Sequence, residues 1–127
     1  MDVLSSRVLL RSPDAARSRR FYRDVLGLAV AREFGPPDHP GVVFFLGSGL
    51  LEVSDGAGGP VAGMALWLQV RAVAPEVERL RAAGVEVLTE PRLEPWGLVE
   101  AWVADPDGVR IVLVEVPPEH PLRRDQR

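Results

Sequence analysis

Hydrophobic and polar residues alternate in short blocks along most of this chain, and the clearest block runs from Leu98 to Glu115. There, LVEAWVA and VRIVLVE flank Asp105-Pro106-Asp107-Gly108. Val, Ile and Trp suit a pleated, half-buried surface, whereas Pro and an Asp-Gly pair suit a tight turn, so this stretch predicts a β-hairpin. From the start of the chain, Val3 to Arg11 reads as a strand, and Ser12 or Asp14 can cap a helix that Pro13 enters at its first turn. Ala16, Phe21, Val25 and Leu26 form the apolar stripe of that helix, and Gly27 ends it in a left-handed conformation. Strands are then predicted over 28–34, 42–47 and 50–54, with the Pro-rich loop GPPDHPG before the second of them.

The stretch DGAGGP, residues 55–60, is too rich in glycine to hold regular structure and reads as a linker. Beyond it the same order returns. A strand over 64–70 leads to a helix opened by Pro75, with Val73, Val77 and Leu80 on one face. Glu76 and Glu78 precede Arg79 and Arg81, which matches the helix dipole, and Gly84 stops the helix. Three strands follow over 85–90, 98–104 and 109–115, and the tail PPEHPLRRDQR reads as frayed.

The chain is therefore βαβββ twice, with Gly27 answering Gly84 and Phe44 answering Trp102 at an offset of about 58 residues. This repeat sets the fold expectation: one α+β domain over 1–117, made of two βαβββ modules in tandem. The modules span about 3–55 and 63–116, joined by a linker at 55–62 and followed by a C-terminal tail, 118–127. Together they would form a curved, antiparallel-rich sheet with helices on the convex side and a concave cavity.

Composition narrows the partners. At 127 residues, with 46% hydrophobic and 26% charged residues, the chain has the make-up of a soluble globular domain. It has no cysteine, which removes disulfides, thiolate metal sites and thiol catalysis together. The formal charge of −3 disfavours nucleic acid, and Arg17, Arg19, Arg20 and Arg23 are interleaved with Asp14 and Asp24 around a helix, as on a solvated face. The opening MDVLSSRVLLRS has neither the basic start nor the apolar run of a signal peptide, and no stretch is long enough to span a membrane. A cytoplasmic location without membrane contact is the expectation.

FYRDVLGL (21–28), GVEV (84–87), PWG (95–97) and DPDGVRIVLVE (105–115) together resemble the vicinal oxygen chelate superfamily, which includes glyoxalase I, extradiol dioxygenases and bleomycin-resistance proteins. The resemblance runs from roughly Val3 to Glu115 and implies paired βαβββ modules around a concave face. Metal-dependent members of that family hold a divalent cation with His or Glu side chains from four strand positions, two per module. Carried over residue by residue, those positions fall on Arg7, Glu52, Ala65 and Val112. Alanine and valine have no donor atoms, arginine is a permanent cation, and one carboxylate cannot supply three or four ligands. The expectation is no metal and no other cofactor, with Arg7 and Glu52 paired in the volume an ion would use. His39 and His120 stand beside prolines in predicted loops and read as surface histidines.

Strand alternation from those four positions turns Leu9, Arg11, Leu50, Ser54, Trp67, Gln69, Arg110 and Val114 inward. The repeat offset adds Val42, Phe44 and Leu46 opposite Leu98, Glu100 and Trp102, with Trp96 at the mouth. The opposite phase (Val8, Leu10, Leu66, Leu68, Val99, Val103, Ile111 and Leu113) is expected to pack beneath the helices. Tryptophans mixed with Arg and Glu are the lining expected for a flat or amphipathic organic molecule.

The candidate ligand-binding residues are Arg7, Arg11, Phe44, Glu52, Trp67, Gln69, Trp96, Glu100, Trp102 and Arg110; Glu52 and Glu100 are also the candidates for a general base. GAGGP lacks the spacing and the lysine of a phosphate loop, and none of the serines has the histidine of an activated nucleophile beside it. The expected function is metal-independent binding of such a molecule by a homodimer, as in the antibiotic-sequestering branch that the resemblance implies. Two alternatives stand beside it. One is an isomerase or lyase using a carboxylate base or a divergent metal site; the other is a dimeric structural or interaction protein whose tryptophan face is buried between subunits.

Overall fold

Short alternating segments that cannot bury both faces alone are gathered into two open sheets, each with its last strand laid beside its first. The computed structural model describes residues 1–125, which divide into two compact units, Met1–Pro60 and the described residues from Val61 onward, with the boundary at the end of the glycine-rich stretch. The first contains β1 (Val8–Ser12), α1 (Ala15–Arg20), β2 (Val30–Phe34), β3 (Gly41–Leu46) and β4 (Gly49–Asp55). The second repeats it with β5 (Leu66–Gln69), α2 (Val73–Ala82), β6 (Glu86–Leu93), β7 (Val99–Ala104) and β8 (Arg110–Glu115), then adds α3 (Pro121–Asp125). The strand orders are β1-β4-β3-β2 and β5-β8-β7-β6. In each sheet the first and last strands are parallel and the remaining neighbours antiparallel. The expected tandem βαβββ α+β fold is the observed one. No helix among the described residues is long and apolar enough to cross a membrane.

In the first unit, Asp14 Oδ1 accepts from the Arg17 N–H at 3.1 Å and caps α1. The helix widens into a π turn over Phe21–Val25 before Gly27 turns the chain at φ 80°. Tyr22 on that turn is fully buried, edge-on to Phe21 and 6.4 Å from the ring of Phe44. Val42, Phe44, Leu51 and Val53 complete this core. The glycine linker is held more closely than its composition suggests, because a Cβ on Gly58 would lie 1.9 Å from the carbonyl oxygen of Arg11.

In the second unit, α2 lacks a local cap, and the Val73 N–H instead donates to Glu115 Oε1 on β8 at 3.0 Å. Gly84, at φ 85°, closes the helix while the Val85 N–H bonds back to the carbonyl of Leu80. Val73, Val77 and Leu80 are buried, as are Leu66, Val103, Ile111 and Leu113 from the sheet residues expected beneath the helices. The β7–β8 turn is organised by the buried Asp105, whose Oδ1 accepts from the Asp107 and Val109 N–H groups at 2.8 Å each.

Three expectations are corrected. Strand β1 begins at Val8 rather than Val3, and Val8, on an edge strand, is exposed rather than covered. The tail is not frayed over its described part: Leu122 of α3 packs on Leu98, Val112, Val114 and Val116, and Arg123 Nε donates to the Val116 carbonyl at 2.8 Å. Phe44 does not face the inner side with Glu52. It pairs with Leu51, while Val43 pairs with Glu52 and Phe45 with Leu50, so Val42 and Phe44 lie on the side packed by Tyr22.

The reason is register. Val43 and Trp102 are the residues opposite Glu52 and Val112, so the module offset at these strands is 59 rather than 58, and a slip of one residue exchanges the two faces. In equilibrium urea denaturation, Phe44→Ala is expected to lose about 3–5 kcal/mol, as for a fully buried phenylalanine. Phe45→Ala, whose ring is 52% exposed, is expected to lose less than about 1 kcal/mol.

Candidate functional site

Each module presents, away from its helix, the sheet face that carries two of the four family ligand positions. In the first module β1 and β4 run parallel with Leu9 beside Glu52 and Arg11 beside Ser54, so alternation puts Arg7, Leu9, Arg11, Leu50, Glu52 and Ser54 on one side. Arg7 Nη1 donates to Glu52 Oε1 at 2.9 Å, and Arg11 Nη1 donates to Glu52 Oε2 at 3.1 Å and to Ser54 Oγ at 2.8 Å. The expected Arg7–Glu52 pair is thus present, and Arg11 makes it a triad. The Glu52 side chain is only 12% exposed, against 37% and 43% for the two arginines.

In the second module Trp67 lies beside Val112 and Gln69 beside Val114, while Trp102 and Glu100 oppose the same two valines across β7 and β8. Trp67, Gln69, Glu100, Trp102 and, by alternation, Arg110 therefore share one face. Trp67 is 47% exposed, and the Arg110 guanidinium sits 5.1 Å from the Trp102 ring centroid. The buried Glu100 accepts a hydrogen bond at Oε2 from the Trp96 indole N–H at 2.7 Å, so Trp96 is a partner of the face rather than a residue standing apart from it.

Four contributors escaped sequence reasoning. Phe45 belongs to the first module's inner face in place of Phe44, which only strand register reveals. Val43 takes the place opposite Glu52 for the same reason. Leu122 covers part of the second module's face beside Trp102, and no periodicity in a five-residue helix announces it. His120 is more than a surface histidine. Its Nδ1 accepts from the Leu122 N–H at 3.2 Å, which leaves Nε2 to donate to the Trp96 carbonyl at 3.2 Å and tie the tail to the 94–97 turn. His39 is an exposed residue bonded to Asp55 at 2.9 Å, as its loop position implies.

The donors available do not fit the divalent cation of the family's metal-dependent members. Ala65 and Val112 offer no lone pair, Arg7 is cationic, and both oxygens of Glu52 already accept from guanidinium groups. Among the described residues no three His, Cys, Asp or Glu side chains gather where an ion could sit.

Residues 5–113 match the family model of the Glyoxalase/Bleomycin resistance protein/Dioxygenase superfamily, and the chain belongs to that superfamily. Among solved structures, a glyoxalase-related enzyme from Fulvimarina pelagi is 28% identical, with a TM-score of 0.73 over 92% of this chain and 90% of that one. The trypanothione-dependent glyoxalase I of Leishmania major is 25% identical, with a TM-score of 0.70 over 90% of this chain and 87% of that one. TnmS3, an antibiotic binding protein from Streptomyces sp. CB03234, shares the fold at 19% identity, with a TM-score of 0.74 over 91% of this chain and 98% of that one. No curated protein matches the chain.

The Trp96–Glu100 bond is open to a direct check by chemical denaturation. Trp96→Phe strands a buried carboxylate oxygen and is expected to cost about 1–3 kcal/mol. Adding Glu100→Met to Trp96→Phe is expected to recover part of that loss, because no unpaired acceptor then remains.

Proposed function

We propose that this protein binds a small aromatic or amphipathic organic molecule without a metal ion and acts by holding it, as a homodimer, rather than by turning it over. The observation that carries this reading is the clamp on Glu52. The single carboxylate among the four family ligand positions has both oxygens taken by Arg7 and Arg11, at 2.9 and 3.1 Å. The two guanidiniums beside Glu52 would repel a divalent ion and hold the carboxylate toward themselves rather than toward a substrate proton. What the two module faces offer instead is contact area and orientation: exposed indole at Trp67, stacked charge at Arg110 over Trp102, and the amide of Gln69.

The superfamily spans both chemistries, so family membership alone leaves function to the site. TnmS3, named as an antibiotic binding protein, supports a sequestration role on the same fold. The exposed Val8 on edge strand β1 supports an assembly in which a partner subunit covers apolar surface.

The neutral fluorescent probe N-phenyl-1-naphthylamine tests this reading in solution. Protein stripped with EDTA is expected to bind it saturably, zinc and nickel are expected to leave binding unchanged, and Trp67→Ala is expected to weaken it about tenfold. Sedimentation velocity is expected to give a dimer. Stoichiometric tight uptake of zinc or nickel, or loss of probe binding with EDTA, overturns the metal-free reading; absence of any saturable binding overturns the binding reading itself.

A further inference from the structure

Two guanidiniums converge on one carboxylate in the first module, and one of them would suffice to neutralise it. Arg7 uses Nη1 on Glu52 Oε1, and Arg11 uses Nη1 on Glu52 Oε2 and Ser54 Oγ. Among the described residues, Nε and Nη2 of both arginines hold no hydrogen bond. With side-chain exposures of 37% and 43%, the pair leaves one unit of positive charge and forked donors partly open to solvent. Forked guanidinium donors match the two oxygens of a carboxylate or sulfonate, which is the geometry Arg recognises best.

The surroundings of that charge are apolar. Leu9 stands between the two arginines on β1 and is 52% exposed. Leu50 lies two residues before Glu52 on the same face, opposite the equally exposed Phe45. Phe45 and Leu50 also line a cavity of about 550 Å³ bounded by Val3, Leu4, the 5–6 serines and the β3–β4 turn. This cavity is an open depression rather than an enclosed pocket, with Val3 and Leu4 of its rim exposed. Leu50 joins the two features, one side toward the cavity and the Arg–Glu–Arg triad two residues along its strand.

We infer that this face is an anion-recognising subsite. It takes the carboxylate or sulfonate of an amphipathic aromatic ligand on Arg7 and Arg11, with the apolar body against Leu9, Leu50 and Phe45. The inference rests on the small-molecule reading above and adds the sign of the ligand's charge. The chain's overall charge of −3 does not decide that sign, because at physiological salt charges beyond about 8 Å are largely screened and the two arginines are the nearest groups. Glu52 tempers the subsite: it orients both guanidiniums and cancels half of their charge.

The test compares two fluorescent probes that differ in one group. 8-Anilinonaphthalene-1-sulfonate is N-phenyl-1-naphthylamine with an added sulfonate. Wild-type protein is expected to bind the sulfonate at least about tenfold more tightly than the neutral probe. Raising salt from about 50 to about 500 mM is expected to erase most of that preference, and this arm needs no variant. Arg7→Gln and Arg11→Gln are each expected to weaken the sulfonate about tenfold and leave the neutral probe within about twofold, with Arg11→Lys intermediate. Glu52→Gln is expected to act in the opposite direction and tighten the sulfonate about three- to tenfold, because it removes the competing anion. If the neutral probe binds while the sulfonate shows no preference, no salt dependence and no response to the arginine substitutions, the anion inference is overturned and the binding reading stands. If neither probe binds saturably, both are overturned.

Discussion

Parallel pairing of the first and last strand of each module is the constraint on which this structure depends. A parallel neighbour cannot be reached by a tight turn, so β1 must be followed by a crossover, and α1 supplies it, as α2 does after β5. The crossover commits one face of each sheet to the helix and leaves the other to function. It also brings the two family ligand positions of a module together, Arg7 immediately before β1 with Glu52 on β4, and Ala65 immediately before β5 with Val112 on β8. The same pairing decides how α2 begins, since Glu115 at the end of β8 stands where it can cap the helix that follows β5.

On the faces away from the helices, the four family ligand positions carry side chains that do not form a donor set for a divalent ion. A metal centre concentrates donors on a point; here one carboxylate is spent between two arginines, and the second module has alanine and valine at its positions with tryptophan and glutamine beside them. Half-exposed ion pairs of this kind contribute little to stability because water and salt screen them. Their effect is orientation: Glu52 holds two flexible side chains in place. The first module thus carries the Arg7–Glu52–Arg11 triad and the second the Trp102–Arg110 contact beside Trp67.

The C-terminal segment illustrates how non-local contacts create order. Nothing in PPEHPLRRDQR marks a packed element, yet Leu122 finds the apolar cluster around Val114, His120 bridges to Trp96, and Arg123 closes on the Val116 carbonyl. Each of these contacts joins residues brought near by the β7–β8 hairpin and the 94–97 turn, not by helical periodicity. A five-residue helix has too few internal bonds to stand alone; its surroundings hold it.

Much of the fold was legible in the residues. Apolar alternation, Gly27 and Gly84 at the helix ends, the DPDG turn and the repeat are local signals, and local chemistry decides them: each depends on a few neighbouring residues and their backbone preferences. The absence of metal donors was legible for the same reason, since alanine and valine lack lone pairs in any fold. The facing of Phe44 was not. A single offset of 58 describes β1 against β5, where Leu9 and Trp67 stand beside Glu52 and Val112, but β3 against β7 requires 59. Turn lengths between strands differ by amounts that no strand records in its own composition, and with a side-chain period of two, one residue is enough to exchange pocket for core. The sequence by itself determined the modules, their order and the residues present at the ligand positions. Only the tertiary structure decided that Phe45 rather than Phe44 shares the face of Glu52, that Arg11 joins Arg7 on Glu52, and that the tail folds onto the apolar cluster around Val114. The first depends on hairpin register, the second on the parallel pairing of β1 with β4, and the third on side-chain packing against the β7–β8 sheet, none of which a segment's own composition records.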